Sequence, residues 1–159
     1  MTVKETKLKD CFIIEPKVFN DSRGYFFESF NQNKFNKLID QEVNFVQDNE
    51  SFSSIGVLRG LHYQTGEYAQ AKLVRVIKGN VLDVAVDIRK DSPTFGQHFS
   101  IELSETNKKQ LFIPCGFAHG FVVLSDTVIF SYKCDNYYNR ESEAGIIYSD
   151  KDLNIDWKL

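Results

Sequence analysis

Several things are scarce in this sequence, and each scarcity closes off a class of protein. Cysteine occurs three times, at Cys11, Cys115 and Cys134. The three are far apart and form no CxxC pair, so neither a disulfide framework nor a zinc site is expected, and a reducing, cytoplasmic setting fits. Histidine also occurs only three times, at His62, His98 and His119, which leaves little for a histidine-built metal centre. There is no basic excess: the formal net charge is −3, so neither nucleic acid nor a membrane surface is an expected partner. No apolar run approaches the roughly 20 residues of a membrane span. The stretch Met1–Asp10 is polar and has no signal-peptide core. Low-complexity linkers, charge blocks and internal repeats are all missing, so one domain over residues 1–159 is expected.

What the chain has in quantity is aromatic residues, 14% of the total. Aromatic side chains favour strands and line ligand pockets. One stretch, Asn31–Ile39, repeats Phe35, Leu38 and Ile39 at helical spacing. Almost everything else reads as strand and turn. In Val81–Ile88, Leu82, Val84, Val86 and Ile88 share one face, and Val81, Asp83, Ala85 and Asp87 share the other. Two readings of those carboxylates stay open: a polar ligand cavity inside a barrel, or a solvated face. Lys72–Ile77 precedes this strand through a turn at Lys78-Gly79-Asn80. Further short strands are expected at His98–Leu103, Gln110–Ile113, Phe121–Leu124 and Val128–Tyr132. Many short, evenly spaced strands with few helices predict an all-β sandwich or barrel.

Four segments carry polar chemistry on this frame. In Leu58-Arg59-Gly60-Leu61-His62-Tyr63-Gln64, Arg offers a donor fork suited to phosphate and His titrates near neutrality. Arg59 and His62 have opposite parity, so a regular strand would separate them; a bulge at Gly60 would turn both into one cavity. A histidine on a solvated face is the plain alternative. In Ile113-Pro114-Cys115-Gly116-Phe117-Ala118-His119-Gly120-Phe121, Pro and Gly set a tight turn, with His119 at the start of the next strand. This P-x-G-x-x-H spacing resembles the second cupin motif. Metal-binding cupins add an HxH pair, whereas His62 is flanked by Gly60 and Gln64, so no catalytic metal is expected. Tyr132, Tyr137 and Tyr138 cluster beside a polar turn, where strand tyrosines are usually packing residues but can donate a proton or stack on a base. Finally, Asp21-Ser22-Arg23-Gly24-Tyr25-Phe26-Phe27-Glu28 reads as a hairpin turn, and Gln47-Asp48-Asn49 as a polar turn.

Taken together, these segments resemble the dTDP-4-dehydrorhamnose 3,5-epimerase family. The matching stretches are EPKVFNDSRGYFFESFN, FVQDN, VLRGLHYQ, AKLVRVIKGNVLDVAVDIRKDSPTFGQ, LFIPCGFAHGF and YKCDNYY followed by Glu143, in order over nearly the whole chain. The resemblance implies a cupin-type jelly-roll barrel, a homodimer, a nucleotide-sugar substrate, and catalysis with no metal or organic cofactor. It implies His62 as base and Tyr132 as acid, with Lys72 and His119 around the sugar. Arg23, Glu28, Gln47, Asp48, Asn49, Arg59 and Glu143 match other ligand contacts, and Tyr138 the ring that stacks on the nucleotide base. Phe19–Phe27 would be exchanged across the dimer, so that each pocket draws on both subunits.

The implied reaction is epimerisation beside a ketone at C4, through an enolate. Lys72 is the expected donor to that oxyanion, with Arg59 and Arg23 on the diphosphate. The family pattern usually continues past Trp157 into a Leu-Ser-x-Lys-Asp-like segment whose Asp pairs with the catalytic His, and this sequence stops at Leu159. Asp83, on a neighbouring strand, is the expected substitute partner for His62 on strand parity. The alternatives are an epimerase of one centre or a ketoisomerase on the same fold, and a sugar-nucleotide binding protein without catalysis.

Overall fold

Period-two patterning gives the strands their two faces, and the computed structural model, which describes residues 1–159, pairs those faces into two packed sheets. The strands are β1 (Thr2–Glu5), β2 (Phe12–Glu15), β3 (Val18–Asp21), β4 (Gly24–Phe27), β5 (Gln47–Ser54), β6 (Leu58–Gln64), β7 (Lys72–Lys78), β8 (Asn80–Asp87), β9 (His98–Ser104), β10 (Gln110–Ile113), β11 (Phe117–Val123), β12 (Thr127–Cys134) and β13 (Glu143–Gly145). One sheet runs β1-β2-β10-β7-β12-β5, and the other β13-β6-β11-β8-β9. All pairings are antiparallel, and β3–β4 stands apart as a two-stranded hairpin. This is the expected jelly-roll barrel of the cupin type.

The main core lies between the sheets. Val74 and Val76 of β7, Leu111 and Ile113 of β10 and Val128 and Phe130 of β12 meet Val81 and Ala85 of β8 and Phe117, Phe121 and Val123 of β11. Burying such side chains contributes roughly 1.5–3 kcal/mol each before chain entropy is counted. The outer faces are covered as well. The helix α1 (Gln32–Ile39) lays Phe35 and Ile39 on the six-stranded sheet against Ile14, Leu73 and Phe112. It starts where Asn31 caps it, the side chain accepting from Lys34 N at 3.0 Å, and it ends at Asp40, which is left-handed at φ 53°. Outside the five-stranded sheet, Trp157 packs on Leu61, Leu82, Val84 and Ala118, and its indole N–H donates to Tyr148 O at 2.8 Å. The turn at Gly79 has φ +84°, and a Cβ there would lie 2.2 Å from Thr127 O, so glycine is required for the β7–β8 hairpin.

One expectation needs correction here, and one open reading is decided. β11 begins at Phe117, so His119 sits inside the strand, not at its start. The Asp83–Asp87 face of β8 is not solvated: both carboxylates are fully buried, because that face points into the inter-sheet core beside Val81 and Ala85. Each therefore has a cationic or ionisable partner, as buried carboxylates require. Asp87 accepts from Arg89 N, Nε and Nη2 at 3.0 Å each, and from the hydroxyls of Ser92 and Thr94. Arg89 also reaches Asp10 at 2.9 Å, which ties the segment before β2 to the end of β8. Burial alone would raise the Asp87 pKa, but the hydrogen bonds from Arg89, Ser92 and Thr94 outweigh it and hold the group well below its ordinary 3.8.

A carboxylate with a depressed folded pKa stabilises the fold fully above its unfolded value and loses that contribution as pH falls through the folded one. Asp87→Asn is therefore expected to lower unfolding free energy at pH 7 by about 3 kcal/mol, by leaving Arg89 underpaired. Urea titrations at pH 7 and pH 3 check this, and the difference between variant and wild type should shrink towards the lower pH.

Candidate active site

Strands β6 and β11 approach each other unusually closely, and that approach builds the site. Gly60 has φ +117°, and a Cβ on it would meet Gly120 Cα at 2.5 Å. Conversely, a Cβ on Gly120 would meet Arg59 O at 2.7 Å. Around this point the register shifts: His119 pairs with His62, but Phe121 pairs with Arg59. Three steps on β6 thus match two on β11, which is a β-bulge. The extra residue turns Arg59 and His62 to the same side, and both line one cavity of about 540 Å³. Such a volume suits a small molecule with several polar handles.

The cavity lies between the two sheets, and each sheet supplies part of its wall. Arg59, His62, Gln64 and His119 come from the five-stranded sheet, with Glu143 at its β13 edge. Gln47, Asn49, Lys72 and Tyr132 come from the six-stranded sheet, and Tyr138 from the loop after β12. Phe121 and Phe130 form an aromatic floor, their ring centroids 4.2 Å apart, and His119 lies parallel to Phe130 at 6.1 Å. The Lys72 ammonium stands 5.5 Å from the centroid of the Tyr132 ring. Arg59 is braced by Ser53 Oγ at 2.9 Å and Phe52 O at 3.4 Å.

Burial acts on the titrating groups in opposite senses. It lowers His62 below its usual 6.5, with Glu143 working against the shift. It raises Tyr132 above its usual 10, with Asn49 working against that shift. It also lowers Lys72, against the pull of Cys134, Asp83 and Glu143. At neutral pH the histidine is thus unprotonated and the tyrosine protonated. A base and an acid facing one cavity, with pKa values pushed apart by their surroundings, are suited to moving protons on a bound ligand.

The structure separates the remaining site expectations. Asp83 does not touch His62: its Oδ1 accepts from His119 Nε2 at 2.8 Å, while its Oδ2 has no hydrogen-bond partner within the protein. Asp83 lies opposite Phe121 in the β8–β11 register, so it meets β11 and never reaches β6. Asp48 lies on the outer face of β5, ion-paired with Lys133 at 3.0 Å, because Gln47 and Asn49 occupy the inward positions of that strand. Arg23 pairs with Asp21 at 2.7 Å and Glu28 with Lys34 at 3.1 Å. Neither lines the cavity of its own chain. Sequence reading missed Ser51, Gln64 and Gln70 on the wall. Gln64 was within reach, since it shares the parity of His62; Gln70 belongs to a loop with no periodicity to read. No group of three or more His, Cys, Asp or Glu side chains converges as metal ligands do.

Comparison with known proteins agrees with this geometry. The family model described as dTDP-4-dehydrorhamnose 3,5-epimerase matches residues 5–159. The chain is 58% identical over 159 residues to the dTDP-4-dehydrorhamnose 3,5-epimerase of Shigella flexneri, an alignment covering 100% of this chain and 88% of that one. Among solved structures, the enzyme of the same name from Elizabethkingia anophelis NUHP1 superposes with a TM-score of 0.96 at 59% identity, over 100% of this chain and 87% of that one. The dTDP-6-deoxy-D-glucose-3,5-epimerase of Legionella pneumophila, in complex with dTDP-4-keto-L-rhamnose, superposes with a TM-score of 0.96 at 52% identity, over 99% and 84%.

The bulge makes a direct prediction. Gly60→Ala places a methyl group against the β11 backbone at a left-handed φ. We expect it to cost about 1–3 kcal/mol in a urea titration and to weaken dTDP binding in calorimetry, because Arg59 no longer points into the cavity.

Proposed function

Because the chain belongs to the dTDP-4-dehydrorhamnose 3,5-epimerase family, it is an isomerase of nucleotide-linked 4-keto-6-deoxy sugars, and we propose that His62 is its base and Tyr132 its acid. The observation that carries this reading is that the two side chains enter one cavity from different sheets, His62 from β6 and Tyr132 from β12. In this proposal a sugar ring held between the sheets has His62 on one side and Tyr132 on the other. A proton taken from one face and returned to the opposite face inverts the carbon, whereas a single group acting alone returns it to the face it came from.

The ketone at C4 makes this feasible. Removing the proton at C3 or C5 leaves a carbanion delocalised onto O4, and the imidazole is far too weak to form that enolate unaided. A preorganised donor at the oxyanion supplies the difference, and the loss of one such donor elsewhere costs roughly 10²–10³ in rate. Lys72, half-buried on the cavity wall, is the donor in this proposal. His119 assists, its ring fixed by the buried Asp83 carboxylate. His62 leaves the first step as imidazolium. Tyr132 gives its phenolic proton to the opposite face of the carbon and becomes phenolate, and solvent exchange restores both. Arg59 binds the diphosphate and Tyr138 the nucleotide base, and binding energy from that remote handle holds the sugar in place.

The second part of the proposal is a homodimer in which the β3–β4 hairpin crosses to the partner. It is supported by the apolar surface of that hairpin, where Phe19, Tyr25 and Phe26 are 55%, 59% and 71% exposed. It also gives Arg23 and Glu28 a pocket to serve, since their own chain offers them none.

Two experiments test these roles. In deuterated water, with dTDP-4-keto-6-deoxyglucose as substrate, His62→Ala should lower deuterium incorporation at both C3 and C5 by about 10²–10⁴. Tyr132→Phe should still exchange, because the base remains, but should form little inverted product. Exchange at the wild-type rate in His62→Ala would sink the base assignment. For the crossing hairpin, Arg23→Ala and His62→Ala chains, each inactive alone, should regain activity when mixed, because one pocket of the mixed dimer then holds both native residues. No recovery in verified mixed dimers would place Arg23 in its own chain's pocket.

A further inference from the structure

The ring assigned to the nucleotide base, Tyr138, is 52% exposed, and residues 135–139 belong to no helix or strand. Neither burial nor a sheet ladder therefore fixes this segment. Carboxamide side chains do. Gln64, at the end of β6, is buried with both ends of its amide engaged. Its Oε1 accepts from Asn139 N at 3.0 Å, and its Nε2 donates to Tyr68 O at 2.9 Å and Tyr137 O at 3.4 Å. Gln47, at the start of β5, accepts from Tyr138 N at 3.1 Å through its Oε1. Gln70 Nε2 donates to Asn136 O at 2.9 Å. Backbone groups that a ladder would pair are thus paired by side chains. Both peptide groups flanking the Tyr138 Cα are held, the one before it by Gln64 and Gln47 together and the one after it by Gln64.

We propose that Gln64 is the positioning residue of Tyr138, clasping its backbone together with Gln47 so that the ring stands in place before a nucleotide arrives. The inference rests on the reading of Tyr138 as the ring that takes the base, and adds what holds it there. A ring fixed in advance leaves less to be ordered on binding. A carboxamide suits this task and a carboxylate does not, because the clasp needs an acceptor for one N–H and donors for two carbonyls in a single side chain. The two glutamines reach the segment from different sheets, Gln47 from the six-stranded and Gln64 from the five-stranded one. Gln64 also stands two residues beyond His62 on β6, and both line the cavity. One strand therefore carries the proposed base and the anchor of the nucleotide ring, which sets the spacing between the two ends of the ligand. Asn139 extends the hold. Its Oδ1 accepts from Glu141 N at 3.0 Å and Ser142 N at 3.2 Å, capping the 3₁₀ turn Arg140–Ser142 that leads into β13.

The test begins with ligand-free protein and amide hydrogen exchange by NMR. Gln64→Met keeps the length of the side chain and removes its hydrogen bonds. We expect the Asn139 amide to exchange about tenfold faster or more, with the β8 amides still protected. An unchanged Asn139 rate overturns the proposal. If Gln64→Met does not fold, Gln47→Met makes the same test at the Tyr138 amide, with the same two outcomes. In calorimetry, Gln64→Met should bind dTDP about tenfold more weakly and inorganic pyrophosphate, which needs no ring, within about twofold of wild type. Unchanged dTDP affinity, or an equal loss for both ligands, overturns the proposal. A double-mutant cycle separates positioning from direct contact. In a Tyr138→Ala background, Gln64→Met should change dTDP affinity by no more than about twofold. A further tenfold loss there would mean that Gln64 touches the ligand itself, which overturns the positioning role. Failure of the underlying reading looks different: Tyr138→Ala alone would then bind dTDP as wild type does, while the exchange rates would still report the clasp.

Discussion

The close passage of β6 past β11 is the constraint on which the site depends. Neither Gly60 nor Gly120 has room for a Cβ, and the bulge that their approach permits changes the facing of everything on one side of it. Without that extra residue, strand parity would place Arg59 and His62 on opposite faces of β6, one inside the barrel and one outside. The side chain suited to phosphate and the side chain suited to proton transfer share a cavity only because one strand is a residue longer than its partner. A local departure from regular pairing thus does what a change of fold would otherwise be needed to do.

Around this point, burial sorts the polar groups by role. Asp87 is surrounded by donors that hold it ionised, and it fastens the start of the chain to the barrel. Asp83 has one paired oxygen and one without a protein partner, which is a costly arrangement for a purely structural carboxylate. It makes sense as the fixed support of His119 at the cavity floor. His62 and Tyr132 experience the same desolvation, but because one is charged when protonated and the other when deprotonated, it moves their pKa values in opposite directions.

How much of this was legible in the sequence follows from which signals are local. The alternation in Val81–Ile88, the glycine turn at Gly79 and the helical spacing of Phe35, Leu38 and Ile39 are all set by neighbouring residues, and the strands and helix they imply are present. The bulge was legible because Arg59, Gly60 and His62 fall within four positions. The Asp83–His119 pair was not, because residues 36 apart in sequence meet only through the β8–β11 register, and no pattern within either strand encodes that register. Gln47-Asp48-Asn49 reads by itself as a polar turn, whereas it lies in β5, where parity turns Asp48 away from this chain's cavity. Arg23 and Glu28 illustrate another limit. Their types suit an anionic ligand, but a single chain brings them to no cavity.

The placing of His62 on one sheet and Tyr132 on the other has a consequence for the core itself. Packed sheets lie about 10 Å apart, a spacing set by the side chains between them. Here that spacing is also the gap across the cavity between His62 and Tyr132. The apolar residues that fill the barrel beyond the cavity, such as Leu111, Val128 and Leu103, therefore act as a gauge block. They do not line the cavity, yet their volumes determine how far His62 stands from Tyr132. In this architecture, evolution of the packing and evolution of the turnover rate are not independent.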